Sequence, residues 1–202
     1  MDQGFESDPG VQWMLAYKRG DESAFDRIVE AYSGQVYSLL TRFLGQKNGR
    51  EDLVQDVFLR VVRARERYEP TARFSTWLYR IAFNLAVNET QRQTGKDVSG
   101  HQSGGLRDED VGDALLDWRD EKVEDPSERM AQDDVVLAVR AAIARLPEQQ
   151  RMALVLAKYH EMPYAEIATV LGSSEKAVKS LVHRARENLR VVLAPYLQGE
   201  IA

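Results

Sequence analysis

Between residues 25 and 43, apolar side chains recur every three or four positions: Phe25, Ile28, Tyr32, Val36, Leu39 and Phe43. That spacing puts them on one stripe of a helix, as a core-facing helix requires. The period returns at Leu53, Val54, Val57, Phe58, Val61 and Val62, while Asp52, Gln55, Asp56, Arg60 and Arg63 point elsewhere. FSTWLYRIAFNLAVNE, residues 74–89, reads as a further helix after the Glu69-Pro70 turn, capped by Ser75 or Thr76. Upstream, Asp8-Pro9 offers a cap and a first-turn proline for a short helix carrying Trp13 to Lys18, which Gly20 ends. Asp21 then caps the long helix, and Gly45 to Gly49 makes a turn.

A second helical array follows. Val135 to Leu146 ends at Pro147, which opens the stretch PEQQRMALVLAKYH. A third helix starts at Pro163 and stops at Gly172, and a fourth begins near Ser174 and runs past Leu193. Between the arrays lies TGKDVSGHQSGGLRDEDVGD, residues 94–113, which has neither helical nor strand period and too little apolar surface to offset its chain entropy. Asp125 and Pro126 read as the N-cap and first residue of the next helix. No useful length shows strand alternation. The pattern predicts an all-α chain of two small helical domains joined by a flexible acidic linker.

Charge sharpens that division. The chain of 202 residues carries a net charge of −5, but residues 96–134 alone carry −8, leaving +3 on the rest. An acidic segment therefore separates two mildly basic blocks, and the asymmetry informs more than the total. There are no cysteines, which excludes disulfides and thiolate metal sites. The opening MDQGFESDPG lacks the basic-then-apolar pattern of a signal peptide, and no apolar run approaches the roughly 20 residues that cross a bilayer. A cytoplasmic protein without direct membrane insertion is expected.

Catalytic chemistry finds little support. The three histidines, His101, His160 and His183, lie in different elements without metal-ligand spacing, and no Gly-rich phosphate loop follows a strand. His160, near a helix end, reads as a surface residue. The chain is expected to be no enzyme, with no cofactor, metal or small-molecule substrate.

The stretch YAEIATVLGSSEKAVKSLVHRAR, residues 164–186, carries more information. Ala168 is small enough for a helix crossing, Gly172 suits the turn, and Ile167, Leu171, Val178 and Leu181 can face inward on both helices. A packed hairpin needs no more than this. In the second helix, however, Lys176, Lys179, His183, Arg184 and Arg186 outnumber Glu175 and Glu187. Exposed cationic and polar side chains early in a helix suit insertion into a major groove. The hairpin reads as a DNA-binding helix-turn-helix.

With those residues in view, the chain resembles a bacterial extracytoplasmic-function sigma factor of the sigma-70 family, nearest its sigma-E-like subgroup. LPEQQRMALVLAKYHEMPYAEIATVLGSSEKAVKSLVHRAR is similar to region 4. GDESAFDRIVEAY, EDLVQDVFLRVVRARERYEP and FSTWLYRIAFNLAVNE resemble region 2, in the right order, and together the likeness covers about residues 11–94 and 135–194. It implies region 2 in residues 1–94, an acidic linker in 95–130 and region 4 in 131–202. It also implies initiation of transcription at promoters with −35 and −10 elements. The implied partners are core RNA polymerase (its β′ clamp and β flap), promoter DNA and an anti-sigma factor. A conventional helix-turn-helix regulator without polymerase binding is the alternative.

The resemblance assigns roles by position. Asp52, Gln55, Asp56 and Arg60 become the face that binds the polymerase clamp, although a charged face taken alone signifies only solvation. Phe74, Ser75 and Thr76 match a loop that helps melt the −10 element, and Tyr68, Ile81 and Asn84 match a pocket for an extruded base. Asn88 lies one helical turn beyond Asn84, and both amides can donate to and accept from base edges. Trp77 lies four residues before Ile81 and is expected in the core instead. The −35 set is Lys176, Lys179, Ser180, His183 and Arg184. Two departures from the family pattern stand out. NETQRQTGKD, residues 88–97, replaces a run of arginines, and Leu181 stands where an arginine is usual.

Overall fold

The computed structural model describes residues 4–45, 49–93 and 126–197. Eight α-helices make up the described chain: α1 (Pro9–Lys18), α2 (Glu22–Leu44), α3 (Arg50–Ala64), α4 (Phe74–Gln93), α5 (Pro126–Ala144), α6 (Glu148–Tyr159), α7 (Tyr164–Leu171) and α8 (Glu175–Leu197). Single 3₁₀ turns at Phe5–Ser7 and Arg65–Arg67 complete it, and no strand occurs among the described residues. The Thr94–Asp113 stretch, the Asp125 cap and most of the Gly45–Gly49 turn lie outside the described residues.

The helix ends follow from local chemistry. Asp8 accepts from the Val11 amide at 3.0 Å, and Pro9 takes the first helical position, where its missing N–H costs nothing. Ser174 accepts from the Ala177 amide at 3.2 Å and so caps α8. Gly172 ends α7 with φ +61°, a left-handed conformation that glycine adopts without a Cβ clash. Two expected caps do not form. Asp21 sits at the N-cap of α2, but its carboxylate takes the Ser23 hydroxyl at 2.6 Å and Arg27 at 3.1 Å. Ser75 and Thr76 lie inside the first turn of α4, which Arg73 opens through its carbonyl.

The apolar stripes pack as the period demands. Ile28, Val36, Leu39 and Phe43 of α2 meet Val57, Phe58 and Val61 of α3 and Phe74, Leu78 and Ala82 of α4, all buried. Val62 is a correction: it is 37% exposed rather than part of the buried face. Gly10 lets α1 close against this core. A Cβ there would stand 2.5 Å from the Tyr32 hydroxyl and 2.7 Å from Phe74 Cβ.

The two helical halves are docked. A single apolar core runs from Val11 to Val182, taking in α1–α4 and the helices α6–α8. α4 packs on α7, and α2 packs on α5 and α6. A satellite cluster of Ile143, Leu146, Leu154 and Ala185 ties α5 and α6 to α8.

Candidate polymerase and nucleic-acid interfaces

Three faces carry the predicted site residues. On α3, Asp52, Gln55, Asp56 and Arg60 are all exposed. Val57, Phe58 and Val61 anchor the opposite side of that helix, so its polar face is held outward rigidly. Leu59, unremarked in the sequence pattern, lies on this polar face and is 49% exposed. An apolar residue three positions after Asp56 and four after Gln55, off the buried stripe, was its legible signal.

The second face is the cationic side of α8. Lys176, Lys179, Ser180, His183, Arg184 and Arg186 are exposed. Lys179 makes only an exposed ion pair with Glu175 at 3.3 Å, and Ser180 donates to the Lys176 carbonyl at 3.2 Å. Val178 and Val182 are buried beneath, with Ile167 and Ala168 of α7 against them. Leu181, whose departure from the usual arginine is noted above, packs half-buried against the core rather than facing out.

The third set, along α4 and the turn before it, divides in two. Ile81, Asn84 and Asn88 follow one another at three and four residues, and both asparagines are exposed beside a half-buried Ile81. The remaining members lie deeper. Tyr68 and Phe74 are buried, with ring centroids 6.2 Å apart, and Phe74 also meets Tyr32 at 5.0 Å. Phe74, Ser75 and Thr76 form helix rather than loop, because the Tyr32, Tyr68 and Trp77 rings seize Phe74 at the helix start. Trp77 is half-buried and stacks edge-on against Tyr68 at 4.9 Å. Burial pushes the Tyr68 phenol well above its usual range, and its hydroxyl has no hydrogen-bond partner among the described residues.

Polar contacts join the two halves around the start of α4. Thr76, fully buried, donates to Glu166 Oε2 of α7 at 2.7 Å, and Arg73 Nε lies 3.4 Å from Glu166 Oε1. The carboxylate thus sits beside the positive end of α4. Tyr79 donates to Gln35 of α2 at 2.7 Å and lies 3.1 Å from His160 Nδ1 at the end of α6. His160 is therefore half-buried between helices rather than a surface residue, because its ring packs on Tyr79 with centroids 5.0 Å apart. Burial, with a smaller contribution from Arg42, lowers its pKa to about 4. Arg151 is buried at the start of α6 and donates to the carbonyls of Phe43 and Leu146. The run Arg151–Leu156 is buried on every side, and a helix apolar all round implies that an arginine within its span lies inside too.

Among the described residues no cluster of three His, Asp or Glu side chains could hold a metal, and no helix is long and apolar enough to cross a membrane.

This architecture, a helical block followed by a helix-turn-helix block, coincides with two recognised protein regions. Residues 28–95 match the family described as Sigma-70 region 2, and residues 137–189 match Sigma-70, region 4. The chain belongs to the sigma-70 family of sigma factors. Within it, the chain belongs to the extracytoplasmic-function group. It is 32% identical over 185 residues to the RNA polymerase sigma-H factor of Pseudomonas aeruginosa, covering 90% of this chain and 92% of that one. It is 30% identical to the ECF RNA polymerase sigma factor SigW of Bacillus subtilis, covering 86% and 90%. The ECF RNA polymerase sigma-E factor of Escherichia coli is also 30% identical, covering 90% and 92%. Among solved structures, CnrH in complex with the cytosolic domain of CnrY superposes with a TM-score of 0.66 at 22% identity, over 93% of this chain and 98% of that one. RpoE in complex with the anti-sigma factor NepR from Bartonella quintana gives 0.59 at 19% identity, over 84% and 96%. At those identities the two structures corroborate the fold alone.

Proposed function

We propose that this chain is an initiation factor that binds core RNA polymerase and directs it to promoters by reading a −35 and a −10 element. The observation that carries this reading is the cationic face of α8. Lys176, Lys179, Ser180, His183 and Arg184 all stand exposed on the second helix of a helix-turn-helix, over a buried apolar base. Such a face meets DNA phosphates and major-groove base edges. Region 2 is assigned to residues 1–94 and region 4 to 131–202, with the linker at 95–130; α5 already begins at Pro126.

On α3, Asp52, Gln55, Asp56 and Arg60 bind the β′ clamp, with Leu59 as an apolar anchor among them. Region 4 contacts the β flap. Along α4, Ile81, Asn84 and Asn88 read the −10 strand. Tyr68, Phe74, Ser75 and Thr76 shape and stiffen the pocket for an extruded base, whose extraction costs a few kcal/mol that a rigid site must recover. Catalysis remains with the polymerase, so the factor itself turns over no substrate and needs no cofactor. Its site of action is the cytoplasm, where an anti-sigma factor restrains it.

Copurification with core polymerase tests the reading. Stoichiometric, salt-stable recovery of core enzyme on the tagged chain is the expected result. DNA binding without any polymerase recovery would instead favour a conventional helix-turn-helix regulator.

A further inference from the structure

Two arginines from different helices converge on Tyr159 of α6. Arg42 of α2 lies over its ring, 4.7 Å from the centroid. Arg140 of α5 is close enough to act on the same phenol, whose pKa burial raises while both guanidinium charges pull it back. α5 and α6 each pack against α2, and all three side chains are half-buried.

The hydrogen-bonding capacity of both arginines is largely unspent. Arg140 makes no hydrogen bond or ion pair among the described residues, and its Nη1 is shut off from solvent. Arg42 donates through Nη1 to the hydroxyl and carbonyl of Ser38, which leaves Nε and Nη2 without an acceptor among the described residues. Carboxylates do not balance the charge. Arginines are the only charged groups among the described residues that bear on Tyr159 and its neighbour His160.

A shielded N–H without an acceptor is unfavourable, and so are two unneutralised guanidinium groups held at one ring. One anion lying against both would relieve each cost. A carboxylate fills a single guanidinium fork, whereas a phosphate group carries enough oxygens to engage two. Arg42 already covers one face of the Tyr159 ring, so that face offers a nucleobase no stacking surface.

We infer that Arg42 and Arg140, beside Tyr159, form a binding site for a small phosphoanion. The ligand is inorganic phosphate, pyrophosphate or the phosphate tail of a nucleotide, recognised through its oxygens. None of the three residues belongs to the proposed clamp, −10 or −35 faces, so the site stands apart from promoter reading. Because the anion spans α2 and α5, its binding stabilises the folded chain, and more so as its concentration rises.

Calorimetric titration of the full chain with pyrophosphate, at fixed ionic strength in phosphate-free buffer, tests the site. Saturable binding with a dissociation constant below about 1 mM is expected. Arg140→Gln and Arg42→Gln should each weaken it by about tenfold or more. Arg140→Lys should weaken it less, because an ammonium keeps the charge but not the fork. Should one glutamine variant fail to fold, the other and Arg140→Lys read the same contact. Lys179→Ala, on the cationic face of α8, should leave pyrophosphate affinity unchanged. Inorganic phosphate and a nucleoside triphosphate are the other arms, and the tightest binder that the arginine variants lose identifies the source. No saturable binding of any arm, equal affinity in the parent and both arginine variants, or loss with Lys179→Ala instead overturns the site. A triphosphate that alone binds, and keeps its affinity in the arginine variants, overturns it as well.

Discussion

Arg151 donates from Nη1 to the carbonyl of Phe43, 108 residues earlier, at 2.8 Å, and from Nη2 to the carbonyl of Leu146 at 2.9 Å. Phe43 lies in the last turn of α2, whose final carbonyls have no partner within the helix. The guanidinium also lies over the Phe43 ring, 5.1 Å from its centroid. This buried cation is thus held by the negative end of a helix, a carbonyl of the α5–α6 turn and an aromatic face, with the half-buried Glu148 carboxylate near enough to favour its charge. Burial lowers its pKa, but arginine remains charged at any ordinary pH.

Arg151→Met should therefore destabilise the protein by about 2–4 kcal/mol, since two buried carbonyls lose their donors while the cost of burying a charge disappears. Urea titration followed by circular dichroism measures it. A midpoint unchanged at equal slope would show that the two bonds contribute nothing net.

Gly10→Ala should cost about 1–3 kcal/mol, because its Cβ would press into the Tyr32 hydroxyl and Phe74. Thermal unfolding should show a lower midpoint. Since Phe74 is the residue displaced, promoter melting should suffer alongside stability. A midpoint equal to that of the unaltered chain would mean that α1 shifts freely.

The His160 pKa of about 4, against an ordinary 6.5, makes docking sensitive to acid. The docked form holds the imidazole neutral, so its contribution is complete above about pH 6.5 and is lost as pH falls through 6.5 towards 4. Arg42 of α2 repels the imidazolium, Tyr79 of α4 packs its ring and hydroxyl against the imidazole, and Tyr159 neighbours on α6. The radius of gyration should rise between pH 6.5 and 4.5, and less so in His160→Asn. Identical profiles for the two proteins would remove His160 from the interface energetics.

Asp56→Arg should weaken binding to core polymerase by at least tenfold while leaving the unfolding midpoint nearly unchanged, as exposed substitutions usually do. Affinity measured at several salt concentrations checks it. Equal affinity throughout would take Asp56 out of the interface.

The helices were legible because their information is local. The three- and four-residue period of α2 and α3, the Asp8-Pro9 start and the Gly172 stop each lie within a few residues of what they determine. Exposure of the α3 and α8 charged faces follows from the same period. Docking was not legible, since Thr76–Glu166, Tyr79–His160 and Arg151–Phe43 join residues 81 to 108 positions apart. Nothing local marks a glutamate or histidine as an interface residue rather than a solvated one. The burial of Phe74 and Tyr68 was missed for a related reason. Phe74 is recruited by Tyr32 and the close approach of Gly10, from helices earlier in the chain, and Tyr68 packs in turn on Phe74 and Trp77.

Promoter selection with core polymerase tests the central claim most directly. Run-off transcription on a library randomised at both elements is compared for the unaltered chain, Asn84→Ala, Lys179→Ala and Arg184→Ala. Lys179 and Arg184 are five residues apart on α8 and diverge by about 140°, and we propose that one faces base edges and the other a flanking phosphate. The base reader should relax guanine preference by about 1–3 kcal/mol, and the phosphate contact should lower affinity in a salt-sensitive, sequence-independent way. The account predicts factor-dependent transcripts, with Asn84→Ala changing tolerance only at the −10 element and the α8 variants acting only through the −35 element. Transcripts no different from core enzyme alone, or an Asn84→Ala effect confined to the −35 element, would contradict it.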